Sequence, residues 1–198
     1  MSFARFEPSF RLAVLCSVAA LAAGAAGCAT TSSTQKLHTA SGIPEQRFTM
    51  TGNGFQTTAL ISKAGAQGPS VDVGRYDDGR AIRGTVNGRP LNISVTGTRA
   101  SGQWGSGPLN VDVDEQEKQL KMTGLVAGRP STWTATLEAI QGTIGLCSYD
   151  LRRSGQDYVG SRSCAGGISP VTVEFPSTIL EWQPINITVL MALLMSTP

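Results

Sequence analysis

The sequence predicts an all-β fold, a single antiparallel up-and-down meander or barrel of roughly ten to thirteen strands, with a two-sheet β-sandwich as the alternative. Three observations predict it. Turn signals recur about every ten residues from residue 46 onward. Apolar and polar residues alternate between them, the pattern of a sheet with one dry and one wet face. Glycine is abundant, with 23 in the chain and only Gly24 and Gly27 in the first 27 residues, as short strands joined by tight turns require.

The turn candidates are Asp78-Gly79, Asn87-Gly88, Gly97-Thr98, Gly105-Ser106, Glu115-Gln116, Ala127-Gly128, Gly145-Leu146, Gly155-Gln156 and Gly166-Gly167. Around Asn87-Gly88, Ile82, Gly84, Val86, Leu91, Ile93 and Val95 share one face, and Arg83, Thr85, Asn92 and Ser94 the other. Later strands repeat the alternation through Leu109, Val111 and Val113, then Leu120, Met122 and Val126, then Val171, Val173 and Phe175. Closing such a meander into a barrel removes its exposed strand edges.

An internal repeat underlies this. Residues 84–95 align without gaps on residues 102–113, and residues 124–130 align on the first half of that unit. Gly84, Gly102, Gly124, Gly142 and Gly160 mark the phase, at a spacing of 18 residues with one step of 22. Each unit is then one hairpin. All five glycines fall on the apolar face, where a missing side chain permits sharp curvature or close approach of another backbone. The C-terminal segment 184–198 is apolar over Ile185–Met195, too short to span a bilayer, and is expected to pack over the glycine row as a short helix or a last strand.

Residues 1–27 have the layout of an export signal: Arg5 and Arg11 at the start, an uncharged Ala/Leu/Val-rich run from Leu12 to Ala26, and a small-residue exit. Ala25-Ala26-Gly27-Cys28 resembles the lipobox of bacterial lipoproteins, although that family prefers Leu where Ala25 stands. The resemblance covers only this N-terminal segment. It implies cleavage before Cys28, multiple acylation of that cysteine and stable membrane attachment. Ala29, read by the common bacterial sorting logic, implies an outer-membrane address facing the periplasm. The alternative is an ordinary cleavage that yields a soluble periplasmic protein. Residues 28–45, Ser/Thr-rich and without apolar periodicity, form a flexible tether, and residues 46–198 a single domain.

Cys16 is lost with the leader and Cys28 is the lipid site, which leaves Cys147 and Cys164 as an even pair in an oxidising compartment. Glycine first in a two-residue loop suits a type II′ turn, so Gly155-Gln156 is expected to close a hairpin. Counting outward from it, Arg153 opposes Tyr158, Tyr149 opposes Arg162, and Cys147 opposes Cys164. Directly opposed cysteines lie within disulfide reach.

The 16 basic and 14 acidic residues fall to 14 and 13 once Arg5, Arg11 and Glu7 leave with the signal. That balance gives no nucleic-acid footprint. The only histidine, His38, lies in the tether, which argues against a Ser–His triad, a Cys–His pair or a His-ligated zinc in the domain. No phosphate loop, dinucleotide motif or nucleophile elbow is present, and no cofactor or metal is expected. The acidic run Asp112, Asp114, Glu115 and Glu117 reads as a solvated hairpin turn, and Trp133 as a core residue.

The expected function is therefore non-enzymatic: an envelope lipoprotein, held to the membrane through lipid on Cys28, acting as a structural module or binding another envelope protein. The alternative is a small-ligand carrier or sensor with its site inside a barrel beside Tyr149, Arg153, Tyr158 and Arg162.

Overall fold

A computed structural model describes residues 46–165 and 167–196. The export signal, Cys28 and the tether expected over residues 1–45 lie outside the described residues.

Among the described residues, fourteen strands follow one another as an unbroken meander. They are β1 (Arg47–Gly52), β2 (Phe55–Ser62), β3 (Gly65–Gly68), β4 (Val71–Tyr76), β5 (Ala81–Val86), β6 (Arg89–Thr96), β7 (Arg99–Trp104), β8 (Gly107–Gln116), β9 (Gln119–Val126), β10 (Arg129–Thr136), β11 (Ala139–Ile144), β12 (Cys147–Ser154), β13 (Asp157–Cys164) and β14 (Gly167–Glu174). Each pairs antiparallel with its neighbours in sequence, and β1 closes the ring on β14, with Thr49 opposite Glu174 and Gly52 opposite Val171. The fold is a closed barrel, which excludes the sandwich. A 3₁₀ turn (Ser177–Glu181) and one helix, α1 (Pro184–Met195), follow.

The strand count exceeds the ten to thirteen expected from the turns. The least legible strand is β3, four residues of Gly-Ala-Gln-Gly with no apolar alternation to announce it. Two turns are also displaced: Gly167, expected in a turn, already pairs with Cys164 as the first residue of β14. β8 continues through Glu115 and Gln116, and the reversal falls on Glu117-Lys118, because Gln116 pairs with Gln119.

Turns alternate between two rims. The upper rim carries residues 63–64, 77–80, 97–98, 117–118, 137–138 and 155–156, together with the start of β1 and the end of β14. Inward positions form the core, including Phe48, Met50, Ile61, Ile82, Ile93, Leu109, Met122, Trp133, Ile140 and Leu151, all buried. Outward positions such as Arg83, Thr85, Asn92, Ser94, Asn110, Lys121, Gln141 and Asp150 are exposed. This polarity is the inverse of a membrane-spanning barrel, whose outer band is apolar. Among the described residues no helix is long and apolar enough to cross a membrane.

α1 occupies the lumen. Pro184 takes the first helical position, where its fixed φ and missing N–H cost nothing. Every residue from Ile185 to Met195 is buried, so the helix has no solvent face. Apart from Asn186 and Thr188 near its start, both buried, the helix is apolar on every face and belongs inside a core, and a 12-residue helix is only marginal alone in water. It runs from the upper rim downward, and the hydroxyl of Tyr149 on β12 donates to the carbonyl of Met195 at its lower end. Its upper end is pinned to the β2–β3 turn. Trp182 Nε1 donates to Ser62 O at 3.0 Å, the Arg75 guanidinium lies 4.7 Å over the Trp182 ring, and Arg75 Nη1 donates to Lys63 O at 3.0 Å.

The glycine row faces inward, but its constraint comes from the sheet rather than from the helix. A Cβ on Gly84 would stand 2.0 Å from the Asp72 carbonyl oxygen of β4, and one on Gly102 would stand 2.0 Å from Asn92 O of β6. The absent side chains let adjacent strands close up and bend the wall around a narrow lumen.

The β12–β13 register is the one expected: Arg153 opposite Tyr158, Tyr149 opposite Arg162, and Cys147 opposite Cys164 in a disulfide. Replacing both cysteines by alanine is expected to lower stability by about 3 kcal/mol, the loop-closure contribution of a bridge of this span. Urea unfolding reads this directly, and an unchanged midpoint would mean that the bridge contributes nothing.

Candidate functional site

The four residues expected to form a ligand site split between the two rims. Tyr149 and Arg162 sit low in the lumen, both buried. The Arg162 guanidinium lies 4.8 Å over the Phe55 ring and 5.9 Å from that of Tyr149, and its Nη2 donates to Cys147 Sγ at 3.3 Å. With the Tyr149 hydroxyl on Met195 O, this cluster receives the end of α1. The chain itself occupies the place proposed for a ligand. Arg153 is exposed at the upper rim, where its Nε donates to Gly155 O at 3.0 Å. Tyr158 is half-buried there, donates to Thr136 O at 3.0 Å and meets the Phe175 ring edge-on at 5.9 Å.

Burial drives both phenols away from ionisation. The Tyr149 pKa is pushed up to about 12 by desolvation, against the pull of the neighbouring Arg162 charge and hydrogen bond. Tyr158 is raised by desolvation, with Arg153 lowering it and Glu138 adding to the rise. Because the folded value of Tyr149 exceeds the ordinary phenol value of about 10, its contribution to stability is complete below pH 10. It is lost as pH climbs through about 12. Tyr149→Phe is expected to cost about 1 kcal/mol at neutral pH for the lost hydrogen bond and to flatten the alkaline decline. Urea midpoints taken between pH 8 and 12 test both, and a variant with the same alkaline decline as the parent would contradict the assignment.

The space best shaped for a ligand is elsewhere on the upper rim. A cavity of about 330 Å³ opens between α1, the 3₁₀ turn and the walls of β9, β10 and β11. Leu120, Ala135, Ile140, Phe175, Ile179, Ile187 and Met191 line it, with Tyr158 and Thr136 on one side. Glu117, Lys118, Leu137 and Leu180 surround the mouth. This volume falls at the lower end of small-molecule pockets, which run to about 300–1,000 Å³. Of the four residues singled out from sequence, Tyr158 alone lines it.

A lengthened hairpin builds one wall. β8 runs from Asp112, opposite Arg99 at the top of β7, on to Gln116. β6 passes the partner of Ala81, Ser94, only as far as Thr96, and β12 passes the partner of Ala139, Arg152, only to Ser154. The step of 22 in the glycine spacing is this extension, two residues in each arm. It lifts Glu117 and Lys118 above the rim and brings Leu120 to the cavity.

Neither the tryptophans nor the acidic run of β8 forms a site. Trp104 and Trp182 donate their indole N–H groups to Val86 O and Ser62 O, Trp133 donates to Met122 Sδ, and all three are buried, so none presents a stacking platform. Asp112 pairs with exposed Arg99 at 3.6 Å and Asp114 accepts from Gln116 at 2.7 Å. Among the described residues no three His, Cys, Asp or Glu side chains gather to hold a metal.

These features define a class: an antiparallel barrel plugged by its own C-terminal helix, with a ligand-sized apolar pocket at one rim. Compared with protein-family models, curated proteins and solved structures, the chain matches none.

Proposed function

We propose that this chain is a non-enzymatic module of the bacterial cell envelope, held at a membrane by lipid on Cys28 and working through its surface. The observation that carries the reading is α1: the helix, buried on every face, fills the middle of the ring with the chain's own residues. The polar outer wall and the disulfide suit a rigid domain displayed in an oxidising compartment. Intact-mass measurement of the membrane-fraction protein tests the anchor. The expected product starts at Cys28 and carries acyl mass, and Cys28→Ala moves it to the soluble fraction. A membrane product with only polypeptide mass would overturn the anchor. A photo-crosslinking residue placed at outward Asn92 or Gln141 tests the interaction role. A discrete adduct with one envelope protein is expected, and no adduct from any outward position would count against it.

A second reading, small-ligand binding, is favoured by one observation: the upper-rim pocket. It moves the ligand from the lumen beside Tyr149 and Arg162 to the space bounded by Leu120, Ile140 and Met191.

A further inference from the structure

We propose that the upper-rim pocket takes the aliphatic chain of a single-chain lipid, with the head left in water beside Lys118 and Glu117. This rests on the ligand-binding reading and names its chemistry.

The lining favours a chain over a ring or a sugar. Ile140, Ile187 and Met191 form the floor, each less than a tenth exposed. The polar groups within reach are already engaged. The Tyr158 hydroxyl donates to Thr136 O, and Thr136 Oγ1 accepts the N–H groups of Glu138 and Ala139. Nothing is left inside to orient a polar ligand, as specific small-molecule sites do. The aromatic members are taken up with one another, Phe175 against Tyr158 at 5.9 Å and against Phe48 at 5.4 Å. Ile187 and Met191 stand one turn apart on α1, so the floor runs about 6 Å along the helix axis. The space is a slot beside the helix.

The lips carry the second indication. Leu137 and Leu180, 57% and 73% exposed, both border the mouth, whereas the other exposed large apolar side chains, Ile168 and Leu146 among them, do not line it. An inserted chain would cover both. Lys118 and Glu117 add opposite charges at the water boundary, a setting for a head that is anionic or zwitterionic.

The test uses the full-length chain bearing Cys28→Ser, so that the only acyl chain present is the one added. It is titrated by calorimetry with lauric acid, with lauroyl lysophosphatidylcholine and with the aromatic probe anilinonaphthalene sulfonate, each below its micelle concentration. Saturable binding of an acyl probe is expected. Ala135→Leu, which fills the slot from the wall, is expected to weaken it about tenfold or more, the effect of displacing two methylenes from an apolar site. Leu180→Asp, at an exposed lip where a charge does not threaten folding, is expected to weaken it in the same direction. Binding of both acyl probes means that the chain alone is read, and binding of lauric acid alone assigns a free fatty acid; either supports the proposal. Aromatic binding without acyl binding overturns the chain assignment and leaves the ligand-binding reading standing. No saturable binding by any probe overturns both. Acyl binding that survives both variants puts the lipid elsewhere and overturns the site.

Discussion

A chain cut after Gln183 is expected to lose its cooperative melting transition altogether. The missing segment supplies Ile185, Ile187, Val189, Leu190, Met191, Leu193, Leu194 and Met195 to the core, none more than 8% exposed. Fully burying one such side chain is worth about 1.5–3 kcal/mol. Eight of them together match or exceed the whole stability of an ordinary domain, about 5–15 kcal/mol. The loss is double-sided, because Ile93, Leu109, Met122 and Trp133 on the barrel wall would then face an empty lumen. The barrel cannot collapse to fill it while the ring of strand pairs persists, so water would enter an apolar cavity. A milder probe keeps the chain whole. Leu190→Ala, at a fully buried position, is expected to cost about 2–5 kcal/mol, the range for core truncations that leave a cavity. Calorimetry of the cut chain and urea unfolding of Leu190→Ala measure the two effects. A cut chain that melts at the parent temperature would mean that the helix does not support the barrel.

Gly124→Ala is expected to be among the most damaging single methyls in the sheet. Its Cβ would stand 2.1 Å from the Asn110 carbonyl oxygen and 2.8 Å from Val111 Cα, both backbone atoms of β8 that cannot move without parting the strands. The residue also sits at φ +143°, where an L side chain is strained whatever the space. The two effects together are expected to cost about 3 kcal/mol or more, in the upper tail of single substitutions. Gly88→Ala is the control. Gly88 also has positive φ, +69°, but a Cβ there meets nothing within 4 Å. Only the backbone preference is lost, about 1 kcal/mol. Urea midpoints of the two variants separate close approach from conformational preference, and equal losses would show that the strand contact at Gly124 is not what fixes the glycine.

Legibility in the sequence follows the range of each interaction. The β12–β13 hairpin was readable to the residue because Gly155-Gln156 sets the register locally, and one correct turn then places Cys147 against Cys164. The alternation of Ile82, Val86, Leu91 and Ile93 likewise reports a face, since a strand's side chains swap sides at every residue. β3 was not readable: Gly65, Ala66, Gln67 and Gly68 carry no alternation, and their strand state is imposed by β2 and β4 on either side. Nor was the state of residues 184–195. A segment buried on every face shows no amphipathic period, and its opening run of β-branched residues suits a strand as well as a helix. The lumen decides, because a closed ring offers a strand no partner edge and a helix needs none.

The candidate site was the least visible part. Its lining comes from β9, β10, β11, the 3₁₀ turn and α1, which no local pattern joins. One signal did exist. The glycine spacing breaks from 18 to 22 at the one hairpin that rises above the rim, and that departure marks the wall of the pocket. Tyr149 and Arg162 were correctly placed facing inward, but the sequence could not say that α1 would reach them first.

Hydrogen exchange of the intact chain tests most directly whether its own helix fills the barrel. The amides of residues 186–195 are expected to exchange as slowly as those of β6 to β9, and to be released with them in a single global opening. Rapid exchange across α1 while the strands stay protected would place the helix outside a barrel that stands without it.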